Sequence, residues 1–497
     1  MKTKAKKLVT LILTALLVLS ILPMNVFAAQ RDVTASSTAS ITIEEAVEND
    51  VLAAYKVVDI AYNAATNTLS YAWNSNFADY FASTTSYNAT AYTIEQFAAL
   101  TDDSDALKTL LAGLPNYIIA NSIAPVGTPA NVADGTATFA NLAMGEYFIR
   151  PTSTTSVYQL MLQKVEPTVV GGAYVINDVT FNAKHKEVSV DKAADKTSVT
   201  KNEKVTYTIT VDIPTYATQA VDKSFYVSDL LPDGLTIDTA SIKVKIDGAD
   251  VDAAAYTLDT TAVAEYTFKL SVSTDQYASW SANGGKQLVI TYTATLNDDN
   301  TTEVNVKETN KVTFDYSNYP YVENSHAQKT DTVDVTTFAI KIDKFVKGQE
   351  ATKLAGAEFD LYRTATQAEI NEGKSVEIPL TTIKGIKLEG NLTTDNNGAA
   401  TFAKYEANGD RYAYYLVETQ APSGYNILDN AVQVNFNDSD VAPTEGIYTV
   451  EVPNSSGIKL PVTGGTGTVI FTIIGIALMA GAVVLFVVSR KKAEESK

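Results

Sequence analysis

Strict alternation of apolar and polar side chains is the feature that most restricts how this chain can fold. Val205, Tyr207, Ile209 and Val211 alternate with Thr206, Thr208 and Thr210, and the run from Leu288 to Ala294 repeats the pattern. A period of two puts successive side chains on opposite faces, so these runs are strands with one buried face. Turn signals such as Pro232-Asp233-Gly234 and Asn283-Gly284-Gly285 separate them, which predicts an all-β sandwich from about Val188 to Thr337. From Phe338 to Asn454 the same style returns, with Leu354 to Tyr362 as one strand-like run and Tyr448 to Val452 as the closing strand. The region from about Ser40 to Lys184 is mixed. Thr42-Ile43, Ala54 to Val58 and Tyr147 to Ile149 are strand-like, whereas Thr93 with Gln96 forms a capping box opening a helix. Asp105 to Leu111 continues with helical periodicity, and Gly113-Leu114-Pro115 is expected to stop it. With 497 residues, the chain has room for roughly three domains.

Composition removes several function classes. The formal charge of -19 repels phosphate backbones and argues against nucleic-acid binding. There are no cysteines, so disulfides, thiolate metal sites and a cysteine nucleophile are excluded. The two histidines, His185 and His326, are too few for a histidine-rich metal site. No cofactor and no metal is expected.

The ends locate the protein. Met1 to Lys7 is basic, Leu8 to about Ile21 is apolar, and Val26-Phe27-Ala28 offers a small-residue cleavage site, so residues 1–28 are expected to direct export and be removed. Val469 to Val488 carries no charge and, at about 1.5 Å per residue, is long enough to cross a hydrocarbon core of about 30 Å. Arg490-Lys491-Lys492 follows as a cytoplasmic stop.

Leu460-Pro461-Val462-Thr463-Gly464 stands just before that span. Together with the span and the basic tail it resembles the sorting signal of Gram-positive surface proteins. The resemblance implies that a sortase cleaves Thr463–Gly464 and transfers the Thr463 carbonyl to an amine.

Leu416 to Tyr425, reading LVETQAPSGY, resembles the E-box of collagen-adhesin B-type domains found in Gram-positive pilins. In that family a lysine on the first strand joins an asparagine on the last through an isopeptide bond, assisted by the E-box acid. Alternation along Phe338 to Lys344 sends Phe338, Ile340, Ile342 and Lys344 inward, which favours Lys344 over Lys341. The resemblance then implies a Lys344–Asn454 bond with Glu418 as the acid. A free lysine leaves about one amine in 2,500 uncharged at pH 7. Burial would lower its pKa and raise that of a neighbouring acid, giving a neutral nucleophile beside a protonated carboxyl.

The middle region resembles fimbrial A-type isopeptide domains. Lys192 is in phase with Val188 and Val190, and Asn310 with Val312, Phe314 and Tyr316, while Phe225 to Pro232 resembles the acid-bearing strand. The implied trio is Lys192, Asp229 and Asn310, with Asn305 as the alternative amide. Each bond is expected to tie a first strand to a last one. Gly145 to Arg150 is faintly E-box-like, but no inward lysine accompanies it and no bond is assigned there.

Asp178 to Lys184 resembles the pilin motif whose lysine receives the threonine of the next subunit, although Asn182-Ala183 stands where many backbone pilins have Tyr-Pro. Lys184 is the expected linking residue and Lys186 the alternative.

Taken together, the chain resembles a sortase-assembled major pilin. The implied fold is mainly β, with tandem immunoglobulin-like β-sandwich domains of A-type and B-type after an α+β N-terminal domain. The expected segments are 1–28 signal peptide, 29–185 N-terminal domain, 186–337 A-type domain, 338–456 B-type domain and 457–497 sorting signal. The implied partners are a pilus sortase and a housekeeping sortase, identical subunits, peptidoglycan, minor pilins, and host matrix or glycans. The membrane is engaged only before sorting. Two other readings stay open: a monomeric wall-anchored adhesin, or a minor or basal pilin. A wall-bound enzyme has only acidic pairs such as Asp102-Asp103 and Asp298-Asp299 to stand on, and solvated loops explain those better.

Overall fold

The computed structural model describes residues 31–101, 104–297, 307–406, 412–434, 446–457 and 472–485. In the first region the long strand Val51–Asn63 lies between Thr68–Trp73 and Gly145–Ser153, with Met161–Val165 beyond the latter. A second sheet places Thr38–Glu44 antiparallel to Ala137–Ala143 and parallel to Val179–Asn182. Four short helices fill the excursion between the strands Thr68–Trp73 and Ala130–Asn131.

The capping box forms as the spacing predicts. The Thr93 side chain accepts from Gln96 N and the Gln96 side chain accepts from Thr93 N. Ser104 caps the helix Asp105–Ala112, whose Leu107, Leu110 and Leu111 are buried. Gly113 ends that helix, but the chain turns straight into another, Leu114–Ala120, with Pro115 in its first turn. Proline is well suited there, because first-turn N–H groups have no helical partner to lose. The glycine is needed for space: a Cβ at Gly113 would sit 1.9 Å from the Tyr87 carbonyl oxygen.

The middle region is a sandwich of two five-stranded sheets. One carries Val190–Ala194 at its edge, next to Lys204–Asp212, then Gln287–Leu296 and Leu235–Ile246. The other holds Phe268–Val272, Phe225–Leu230, Lys307–Ser317 and His326–Thr336 in that spatial order. Every second residue of Gln287–Leu296 is buried, as the alternation requires.

The third region also packs two sheets. Phe338–Val346 pairs antiparallel with Ala399–Tyr405 and parallel with the closing strand Ile447–Asn454. The facing sheet has Glu358–Thr364 between Lys384–Thr393 and Tyr414–Gln420. The run expected as one strand from Leu354 to Tyr362 starts only at Glu358, because Gly356 adopts φ +81°, a left-handed backbone that breaks the pleat.

The first two regions share one continuous apolar core reaching from Ala39 to Val335. Polar contacts reinforce that junction: Asn318 Nδ2 donates to Thr154 O at 2.7 Å and Asn116 Nδ2 to Tyr321 O at 3.0 Å. His185–Lys186 pairs with Val157–Tyr158, so strand pairing with the first region runs one residue past the expected boundary at 185. The third region has cores of its own and meets the middle one through Lys201 N to Lys404 O at 2.9 Å and a Lys201–Glu389 ion pair.

Residues 472–485 are helical and expose Ile473, Leu478 and Leu485. Among the described residues no helix is long and apolar enough to cross a membrane. The predicted span 469–488 extends past this segment at both ends. The signal peptide, Leu460 to Gly464, the basic tail, Asn305, Asp102-Asp103 and Asp298-Asp299 all lie outside the described residues.

Candidate functional site

Lys344 is fully buried, whereas Lys341 on the same strand is exposed, as alternation requires. The parallel pairing sets Lys344 opposite Val452, which brings Asn454 within reach of its side chain. Lys344 Nζ contacts Asn454 Oδ1 directly and lies 3.1 Å from Glu418 Oε1. Glu418 reaches across from the facing sheet, on the strand Tyr414–Gln420. Asn454 Nδ2 donates to the same Oε1 at 2.9 Å and to Asn426 O at 2.9 Å, while Leu428 N donates to Glu418 Oε2 at 2.8 Å. One carboxylate oxygen thus touches both the amine and the amide nitrogen. Burial pushes the Lys344 amine below its ordinary value, opposed by the Glu418 charge.

The middle region assembles Lys192, Asp229 and Asn310, all buried. Lys192 belongs to one sheet and the other two residues to the facing sheet, so this cluster spans the sandwich. Lys192 Nζ contacts Asp229 Oδ2 and lies 3.1 Å from the Tyr292 hydroxyl. Burial drives the Lys192 amine down and the Asp229 carboxyl up, each opposed by the other's charge. The expected tie between first and last strands needs correction here. Asn310 lies on Lys307–Ser317, with His326–Thr336 still to follow, because the Lys307–Ser317 strand is the one that runs beside the acid-bearing Phe225–Leu230.

Residues 338–448 match a family model described as a prealbumin-like fold domain, and residues 452–495 match the LPXTG cell wall anchor motif. The chain is 25% identical over 391 residues to the trypsin-resistant surface T6 protein of Streptococcus pyogenes serotype M6, covering 63% of this chain and 71% of that protein. It is 25% identical over 341 residues to the fimbrial subunit type 1 of Actinomyces viscosus, covering 61% of this chain and 64% of that protein. In fold it resembles the T6 backbone pilin of Streptococcus pyogenes, with a TM-score of 0.57 and 18% identity over 86% of this chain and 100% of that one. It also resembles the full-length major pilin SpaD of Corynebacterium diphtheriae, with a TM-score of 0.53 and 17% identity over 86% of this chain and 99% of that one. Together, the pilin-type domain, the wall-anchor motif and the pilin and fimbrial relatives support a sortase-assembled Gram-positive pilin.

The pilin's Lys184 and Lys186 are both exposed. Lys184 sits between the strands Val179–Asn182 and His185–Lys186, and its carbonyl accepts from Gln159 N at 2.8 Å. It borders a groove of about 1010 Å³ shared with Leu111, Met161, Phe181 and Tyr321. Of the faint E-box in the first region, Glu146 is buried and lies 3.8 Å from Lys164 Nζ.

Sequence reasoning missed three contributors: the Asn426 carbonyl, the Leu428 amide and Tyr292. The first two are backbone groups with no side-chain signal. Tyr292 was legible in principle, since it falls on the inward phase of Leu288 to Ala294, where a buried phenol needs a polar partner.

Proposed function

We propose that the pilin is the backbone subunit of a covalent fibre, with 29–185, 186–337 and 338–456 as its modules, and that its load-bearing units are closed by Lys344–Asn454 and Lys192–Asn310 isopeptide bonds. The observation that carries the bonding is the dual contact of Glu418 Oε1 with Lys344 Nζ and Asn454 Nδ2. The uncharged amine attacks Asn454 Cγ, forming a C–N bond. Glu418 accepts a proton from Nζ and delivers one to Nδ2, the C–Nδ2 bond breaks, and ammonia leaves. Fixed geometry supplies an effective concentration on the order of 10⁵ M or more, enough for an unassisted single turnover.

Between subunits, a pilus sortase would cleave Thr463–Gly464 and pass the Thr463 carbonyl to Lys184 Nζ of the next copy, and a housekeeping sortase would attach the last copy to peptidoglycan. The exposure of Lys184 at the border of an open groove supports this assignment. The test is Lys184→Ala beside Lys186→Ala in cells carrying the sortase. Loss of the high-mass ladder on denaturing gels only in Lys184→Ala is the expected result. A ladder that survives Lys184→Ala overturns the linkage, and a single band in the unsubstituted strain favours a monomeric adhesin.

A further inference from the structure

The two buried clusters solve the same proton problem with acids of different length. In the third region Glu418 Oε1 reaches both nitrogens itself. Asp229 is one methylene shorter, and among the described residues no hydrogen bond joins it to Asn310. Its Oδ2 faces Lys192, and its Oδ1 accepts from the Tyr292 hydroxyl at 2.8 Å. That hydroxyl in turn accepts from Asn310 Nδ2 at 2.7 Å. The phenol therefore occupies the gap that the missing methylene leaves.

We propose that Tyr292 is a catalytic residue of the middle site, its hydroxyl carrying a proton from Asp229 to the departing nitrogen of Asn310. This rests on reading the cluster as a Lys192–Asn310 bond former.

As the Lys192 Nζ–Asn310 Cγ bond forms, Asp229 Oδ2 takes one proton from Nζ. Attack makes Cγ tetrahedral and frees a lone pair on Nδ2. With Asp229 protonated on Oδ1, the Tyr292 hydroxyl turns from Oδ1, to which it donates in the resting arrangement, toward Nδ2. Oδ1 then gives its proton to the Tyr292 oxygen, Tyr292 passes its hydroxyl proton to Nδ2, the Cγ–Nδ2 bond breaks, and ammonia leaves. Asp229 and Tyr292 end with the proton count they began with. Burial holds the Tyr292 phenol far above its ordinary range, so it stays neutral and can accept and donate at once. The ring is fixed for the task, stacked on Tyr207 at 5.4 Å and edge-on to Phe268 at 5.2 Å.

The decisive experiment follows bond formation in the full chain by pulse labelling, intact mass and the cross-linked peptide. Tyr292→Phe keeps the ring, and should slow the Lys192–Asn310 bond by about 10²-fold or more while the Lys344–Asn454 bond forms normally. Asp229→Ala serves as the reference. If Asp229→Ala abolishes the middle bond and Tyr292→Phe forms it at the unsubstituted rate, only the role of Tyr292 falls. If Asp229→Ala also forms it, the reading of the whole cluster falls. Melted before its bond has formed, Tyr292→Phe should unfold in one cooperative transition, as Lys192→Ala does, which separates a slowed reaction from a lost fold. Where the phenylalanine variant does not fold, 3-fluorotyrosine placed at 292 decides. It alters phenol acidity while nearly preserving packing, so a changed rate supports the relay and an unchanged rate overturns it.

Discussion

Lys344 Nζ and Glu418 Oε1 lie 3.1 Å apart with both side chains wholly shielded from water. An ion pair in such a place gains little net stability, because desolvating two charges offsets their attraction. Hydrophobic residues of the same volume would serve a structural core as well. What the arrangement provides is an amine, a carboxyl group and an amide within one hydrogen-bonded cluster, the three groups that the proposed cross-link needs.

Glu418→Gln and Lys344→Ala should each leave the mature protein heavier by the one ammonia that is not expelled, about 17 Da, after allowing for the substitution itself. Lys344→Ala also leaves the buried Glu418 without its lysine neighbour and the third region without its cross-link, so its melting temperature should fall. Intact-mass measurement and thermal melting check both. An unchanged ammonia loss in Glu418→Gln would remove Glu418 from the reaction.

Gly398 offers a test of positioning without touching any reacting group. Its φ is +70°, it accepts the Lys344 N–H at 2.8 Å, and a Cβ there would lie 2.2 Å from the Lys344 carbonyl oxygen. Gly398→Ala should displace the backbone at Lys344, destabilise the third region by about 1–3 kcal/mol, and slow its bond. Pulse-labelled mass spectra should show a delayed ammonia loss at this site while the middle site keeps its pace.

His326 ties the middle sandwich in a way that depends on pH. Its Nδ1 lies 2.5 Å from Asp315 and its Nε2 3.1 Å from Asp222, with Ser224 Oγ also at Nε2 and the ring stacked on Tyr226. Burial alone would lower the imidazole's pKa, but the two carboxylates outweigh it and raise the value to about 9. A raised value stabilises the fold fully below the unfolded pKa of about 6.5 and loses that contribution as pH climbs through about 9. Asp222 and Asp315 are held below their usual range, so their share is lost in acid instead. His326→Gln should therefore lower the melting temperature of the middle region by about 2–6 °C at pH 6, and the gap should close by about pH 10.

The inward lysines were legible because a charged side chain on the apolar phase of a strand breaks the binary pattern, and the pattern needs only the local sequence. Lys192 and Lys344 stood out in that way, as did Asn310 beside Val312 and Phe314. What the sequence did not reveal was set by tertiary geometry. Which sheet each partner joins decides whether lysine and asparagine share one sheet, as Lys344 and Asn454 do, or belong to facing sheets, as Lys192 and Asn310 do. Backbone donors such as Leu428 carry no residue-type signature. The restart of helix at Leu114 was hidden because Pro115 stops one helix and starts the next equally well.

The parallel register of Phe338–Val346 with Ile447–Asn454 has a mechanical consequence. Force applied along the fibre enters the third region through its first strand and leaves through its last, so the hydrogen bonds between them are loaded in shear. An amide bond between Lys344 and Asn454 would route that force around everything in between, a stretch spanning 110 residues. Without the bond, that stretch can be drawn out to about 360–400 Å at full extension. In single-molecule pulling, the unsubstituted pilin should show no unfolding step of that length from this region, and Lys344→Ala should restore it. A step of that size in the unsubstituted protein would mean that the hydrogen bonds alone carry the load, and the shaft would then owe its strength to something other than this cross-link.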